Sequence, residues 1–503
     1  MAEANIKKNP ASTTGDIIDT HFTVGTRKAG SVIGANSTAF GQNNVASGEA
    51  SHAEGIGTTT DAHACHAEGY GTKASWEGAH AEGKNTQAIE HATHAEGENT
   101  IANKAFAHAE GNGTKASGWA SHAEGENTQA QSNDTHAEGF GTRAASRCAH
   151  SEGDGTEAIG ECSHAEGYYT KAMMKCSHAE GDYTEAGGEY SHAEGSRAVA
   201  AGRYAHAEGQ GTMASGECSH AEGKETRATE YSTHAEGEAT YATKQYAHAE
   251  GYETEAEGIA THAEGYGTCA HAYASHAQGL FNKVTSGSQT AYSATSTAFA
   301  IGNGQSDTRR SNAFRVDFDG GVYAKATYHS NGADYAEYFE WLDGNSGRED
   351  RVGFFVALDG EKIRKATAED TDILGIVSIT PSVVGDAQED VWKGMYLTDK
   401  WGRAEYEYVE TPLKNTDGGV RRDYVLKVNP EYQAERAYIP RSKRPEWDAV
   451  GMMGKLMVRD DGTCQVNGYC TSNEEGIATA SDAKNGYRVL KRIDSETICV
   501  LMK

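Results

Sequence analysis

From His52 to Gly279 the tetrapeptide His-Ala-Glu-Gly, or a one-residue variant, returns every 14 residues, 17 times without insertion or deletion. So strict a period describes one structural unit stacked on itself. The unit has an internal echo at seven residues. In His108 to Ser121, HAEGNGTKASGWAS, each half carries alternating residues, then a glycine, then a small hydroxyl residue. Each half therefore reads as a short strand plus a tight corner, and two halves make one coil of a solenoid. A helix fails as an alternative. Each glycine inside it would cost about 1 kcal/mol, and no apolar stripe at helical spacing offsets that. Stacking at the inter-strand distance predicts a rod roughly 80 Å long.

The seven-residue beat begins before the histidines, with Ile33-Gly34, Phe40-Gly41, Ser47-Gly48 and Glu54-Gly55 on one register. Residues 30–300 resemble the head repeats of YadA-type trimeric adhesins. The resemblance implies an all-β fold: a left-handed parallel β-roll of 14-residue coils shared among three chains. Where that family carries Ser-Val-Ala-Ile-Gly, this chain has Ser-His-Ala-Glu-Gly. Histidine and glutamate two apart on a strand share a face. The expectation is a ladder of paired imidazoles and carboxylates, buried inside the coil or at a chain–chain contact, because buried charge is tolerated only when paired. A solvated face is the plain alternative. Metal sites on the histidines rank lower, since identical residues in every coil are explained by stacking, and no metal or cofactor is expected.

A net charge of −28 argues against nucleic acid or an anionic membrane as partner, and no stretch approaches a membrane span. With 37% apolar residues and an alanine-lined coil, a single rod buries little apolar area, so association of chains would add the missing burial. Cys148, Cys162, Cys176 and Cys218 share one register and read as small, semi-buried free thiols; Cys464 and Cys470 also read as free. Residues 1–30, without a signal-length apolar core, read as an attachment or capping segment of a protein made in a cytoplasm. Residues 31–285 form the shaft.

Beyond Gly279 the repeat dissolves. Phe314–Phe318 alternates, Asp319-Gly320-Gly321 turns and Val322–Ala326 resumes, which predicts a hairpin inside a β neck over 286–329. From residue 330 the composition becomes that of a packed β-rich domain, with strands predicted in 352–358, 373–377 and 450–458.

The junction HSNGADYAEYFEW, from His329 to Trp341, together with YIPRSKRPEWDAVGMMGKLMVRDDGTC, resembles the C-terminal autoproteolytic domain of phage tail spikes and neck appendages, the peptidase G2 intramolecular-chaperone family. The resemblance covers about 325–503. It implies a domain that assembles a homotrimer and then cuts itself free, with Ser330–Asn331 as the scissile bond and Asp334 and Glu337 as the acidic pair. A serine hydroxyl needs a base, and a second carboxyl kept protonated by burial can donate to the leaving amide. His329 is a weaker candidate.

Taken together, these features predict a phage or prophage tail fibre or appendage carried in the virion. Its N-terminus would meet a tail or baseplate protein, its shaft would face a host cell-surface receptor, and no membrane insertion is expected. An adhesin-like fibre without cleavage is the alternative. Turnover of an external substrate is disfavoured, because the repeat has no carboxylate pair at a unique place.

Overall fold

The computed structural model describes residues 22–390, 392–413, 419–435, 437–482 and 486–503. Every regular element there is a strand or a three-residue 3-10 turn. The chain divides into two compact units, residues 1–325 with 410–423, and residues 326–409 with 424–503.

The first unit is a β-solenoid. Each coil has a five-residue strand on His-Ala-Glu-Gly-x and a two-residue strand seven positions later, and both pair in parallel with their equivalents in the next coil. His108 lies opposite His122, Ala109 opposite Ala123 and Glu110 opposite Glu124; on the second face Lys115 lies opposite Gln129. The ladder starts before the histidines, where Phe22–Arg27 pairs with Thr38–Ala46, inside the segment expected to be an attachment piece. It ends where His276–Leu280 pairs with Thr297–Asn303. Just before that rung the Asn282 side chain bonds both backbone groups of Cys269, standing in for a strand.

Two features of the sequence fix the coil. The first is size. Strand alternation turns one side chain inward for each one outward, and the inward column is alanine, from Ala53 to Ala263 fully buried, with threonine and serine at the corners. The second is the repeat glycine. Gly111 has φ +106°, and a Cβ there would lie 2.1 Å from the carbonyl oxygen of Gly125 in the next coil. A further corner is left-handed as well, and its residues vary freely: Ala92, Phe106, Asp134, Cys148 and Tyr190 have φ between 51° and 62° and are exposed.

These corners correct the reading of the cysteines. Cys148, Cys162, Cys176 and Cys218 are exposed rather than semi-buried, because a left-handed corner turns its Cβ outward. Cys464 and Cys470 are buried free thiols, and burial pushes Cys470 up to about 12.

The histidines and glutamates do share a face, but not inside the coil. They form the outward column, because only alanine-sized groups fit within. From His66 to His262 the imidazoles stack with ring centroids 4.6–5.0 Å apart and planes within 9°. From His66 to His192 each Nε2 stands 3.3–3.7 Å from an oxygen of its own coil's glutamate. Within a coil, only His52–Glu54 reaches hydrogen-bond geometry, at 3.2 Å. Burial between neighbouring rings, seconded by the neighbours' own charge, lowers several histidines, His248 to about 4.

The predicted hairpin is present: Asn312–Asp317 pairs antiparallel with Val322–Ala324, Arg315 opposite Tyr323, around Gly320 at φ +89°.

The second unit is built on a ten-stranded sheet around the long strand Trp447–Arg459. The predicted strands appear as Phe355–Asp359, Gly375–Val377 and that central strand. Phe355, Val458, Val489, Ile498 and Val500 fill one core cluster, and Trp341, Val356, Ile363, Val377 and Val450 a second.

Candidate functional site

Residues 326–333 run without regular pairing and, Gly332 apart, are exposed, so the Ser330–Asn331 peptide is open to solvent. The Ser330 Oγ accepts from the Gly332 amide at 3.2 Å, a local turn that holds the hydroxyl against its own backbone. Gly332 is pressed onto the Pro381–Ser382 segment: a Cβ at this residue would lie 2.4 Å from the Ser382 nitrogen. The Ala333 carbonyl then accepts from the Lys455 amide at 3.1 Å, which ties the end of the exposed segment to the central strand.

Strand Asp334–Glu340 follows. It pairs antiparallel with Trp447–Arg459, Asp334 opposite Gly454 and Glu337 opposite Val450, and parallel with Val383–Gly385. Its alternation separates the two predicted acids. Asp334 and Ala336 point into the unit and are buried; Tyr335 and Glu337 share the opposite face, where the tyrosine hydroxyl donates to Glu337 Oε1. Within one chain the two carboxyls therefore do not meet.

Asp334 is only 5% exposed, and its Oδ2 has no hydrogen-bond partner. Burial pushes its carboxyl above the usual carboxylate range, against an opposing hydrogen bond with Ser378. Gly451 makes the room: a Cβ there would lie 2.8 Å from Asp334 Oδ2. The Asp334 carbonyl accepts from both the amide and the hydroxyl of Ser382, at 2.8 and 2.7 Å. A carboxyl so placed keeps its proton to higher pH than a free carboxylate does and can release it to a leaving group. His329 is exposed.

Ser378, Ser382 and Gly451 were not singled out from sequence. They reach the site only through strand pairing, and the run SITPS from Ser378 to Ser382 carries no signature of a site.

Residues 283–496 match the family described as Peptidase_G2, IMC autoproteolytic cleavage domain. The C-terminal part of the chain is thus similar to a Peptidase_G2 domain. Among relatives, the chain is 39% identical over 150 residues to the pre-neck appendage protein of Bacillus phage B103, covering 30% of this chain and 16% of that one. It is 36% identical over 173 residues to the putative phage-related protein YobO of Bacillus subtilis (strain 168), 34% of this chain and 20% of that one. The matches thus span a fifth or less of those relatives' length. Among solved structures, the C-terminal fragment of bacteriophage phi29 gene product 12 is similar at 32% identity, over 34% of this chain and all of that one, with a TM-score of 0.27. The pre-mature form of the same gene product is similar at 16% identity over 96% of this chain and 64% of that one, with a TM-score of 0.43. The Peptidase_G2 match begins at residue 283, upstream of the predicted cut, so it takes in the neck hairpin as well as the β-rich unit.

Proposed function

We propose that this chain is a phage or prophage appendage protein of the tail-fibre kind that works as a homotrimer, and that its Peptidase_G2 domain directs assembly and then severs the Ser330–Asn331 bond. The observation that carries the reading is the coincidence of an autoproteolytic family match with an exposed, unpaired segment, anchored by Gly332 and Asp334, at the start of the second unit. The chemistry is a single-turnover hydrolysis: a water held by Ser330 Oγ attacks the Ser330 carbonyl carbon, Glu337 of a neighbouring chain accepts the water's proton, and Asp334 supplies a proton to the departing Asn331 nitrogen, leaving a Ser330 carboxylate and an Asn331 amine. An acid contributed in trans makes cutting conditional on assembly.

The solenoid explains the need for such a domain. Equivalent coils are so alike that a slip of 14 residues between chains costs little at each contact. A globular module that associates first fixes one end, and the rolls close from there.

Denaturing electrophoresis and intact mass of the expressed chain test this. The expectation is fragments 1–330 and 331–503, with Ser330→Ala, Asp334→Asn and Glu337→Gln all left at full length yet still trimeric by light scattering. Normal cutting in all three variants removes the site assignment.

A second reading, a receptor-binding fibre, has support of its own. Exposed aromatic rings stack along the coil corners, as in Tyr190–Tyr204 at 5.2 Å and Tyr252–Tyr266 at 4.9 Å, and flat rings of this kind suit sugar faces. A glycan-array screen of the shaft-bearing protein tests it, with loss of signal in Tyr190→Ala/Tyr204→Ala expected.

A further inference from the structure

The outward column poses an electrostatic problem. Glutamates from Glu54 to Glu264 stand in register, one directly above the next at the spacing of paired strands, and like charges directly opposite one another are destabilising. Their own chain does not neutralise them. Among the described residues these glutamates form ion pairs with histidines alone, and none with lysine or arginine.

The histidine side of the column is unsatisfied as well. Sixteen Nε2 atoms, from His66 to His276, are shielded from solvent and have no hydrogen-bond partner. A buried polar atom without a partner is costly, and here the cost recurs in every coil. Most of these nitrogens stand within 4.0 Å of a carboxylate oxygen whose side chain is about 40% exposed, as at Glu110 and Glu152, and so is free to turn.

We propose that the His–Glu column is a linear array of sites for divalent transition-metal ions such as Zn²⁺, each ion held by Nε2 of one or two stacked histidines and an oxygen of the intervening glutamate. The donors are assembled: His94, Glu96 and His108 place three ligand atoms within 4.8 Å of one another, as do the four His–Glu–His triads that follow up to His164, among fourteen donor groups of this kind in the described residues. A His–Glu separation of 3.3–3.7 Å is close to that of two ligands sharing a zinc ion at bonds of about 2.1 Å. For two histidines to share an ion, rings stacked 4.6–4.8 Å apart must rotate out of parallel so that their in-plane lone pairs converge. Solvent completes the outer coordination. An imidazole-plus-carboxylate donor set selects zinc, nickel, cobalt or copper over calcium and magnesium, which prefer oxygen. Neighbouring triads share residues, so alternate filling gives about seven ions per chain.

The full-length protein, stripped with a chelator and dialysed, tests this against ZnCl2 by calorimetry and by metal analysis of the washed complex. About seven zinc ions per chain are expected, with little competition from a hundredfold excess of Ca²⁺. Replacing His94, His108, His122 and His136 together by Gln should remove about two to three of them; Glu96→Gln/Glu110→Gln/Glu124→Gln should do the same. Co²⁺ loaded into the unaltered protein should give the intense visible bands of a nitrogen-containing low-coordinate site, a readout that needs no variant. One ion or fewer per chain, displacement by Ca²⁺ at equal concentration, or Co²⁺ spectra like those of the aqueous ion would each overturn the proposal.

Discussion

The two units of this chain reach stability by opposite routes. The solenoid buries alanine, threonine and serine at identical places in every coil, so its interior is uniform and each coil depends on its two neighbours. The C-terminal unit buries Phe355, Trp341, Ile363, Ile376 and Ile498 at places that occur once, so every contact there is unique. The difference separates two properties often taken together. Repetition supplies length and stiffness but little information about register; an irregular core supplies register.

The largest effect should come from the irregular core. Phe355→Ala removes a fully buried ring that stacks on Tyr487 at 5.4 Å, and should cost about 3–5 kcal/mol in the C-terminal unit while leaving the solenoid's circular dichroism unchanged. Denaturant melts followed by tryptophan fluorescence check it. If both units melt together in the variant, they are not independent.

Next is the backbone of the coil. Gly111→Ala places a methyl against the Gly125 carbonyl in a left-handed conformation and should cost about 3 kcal/mol. Phe106→Ala, at a corner that other coils fill with alanine, should be close to neutral in the same thermal melts.

Acid should act on the two units in different windows. Burial lowers His248 from its ordinary 6.5 to about 4, and other histidines of the column, such as His80 and His108, are lowered as well. Between those values the unfolded chain takes up protons that the folded solenoid refuses, so the contribution is intact above pH 6.5 and is lost as pH falls towards 4. In the C-terminal unit, hydrogen bonds from Arg351 lower Asp343 to about 2, and that contribution, present above pH 3.8, is lost only below it. Melting temperatures at pH 7.5, 5.5 and 4 should therefore fall for the solenoid first. Coincident losses would break the contrast.

The smallest effect should follow the largest deletion. Removing one whole coil, residues 108–121, leaves every neighbour relation in place and should change shaft stability by about 1 kcal/mol or less. A deletion of that length in the C-terminal core should abolish folding. Limited proteolysis of both deletion variants compares them.

Much of this contrast was legible in the sequence. The 14-residue period and the paired glycines gave the solenoid, and the alternation around Asp319-Gly320-Gly321 gave the hairpin. Alternation also put His108 and Glu110 on one side of the strand, yet it does not say which side faces in. The narrowness of a 14-residue coil decides that, and the recurring alanine was the clue. The site was legible only as a linear segment. The seclusion of Asp334 depends on Ser378 and on Gly451, which strand pairing alone brings alongside. The divergence of Asp334 and Glu337 follows from a three-residue offset on a strand, once the strand is known to span both.

The left-handed corner accepts alanine, phenylalanine, aspartate, cysteine and tyrosine on one and the same backbone. The shaft is therefore a graduated scale: one freely chosen side chain can be shown to the surroundings at every step of roughly 4.8 Å, without disturbing the steps on either side. A lineage carrying it can rewrite what the solenoid displays, letter by letter, and keep the instrument that holds the letters.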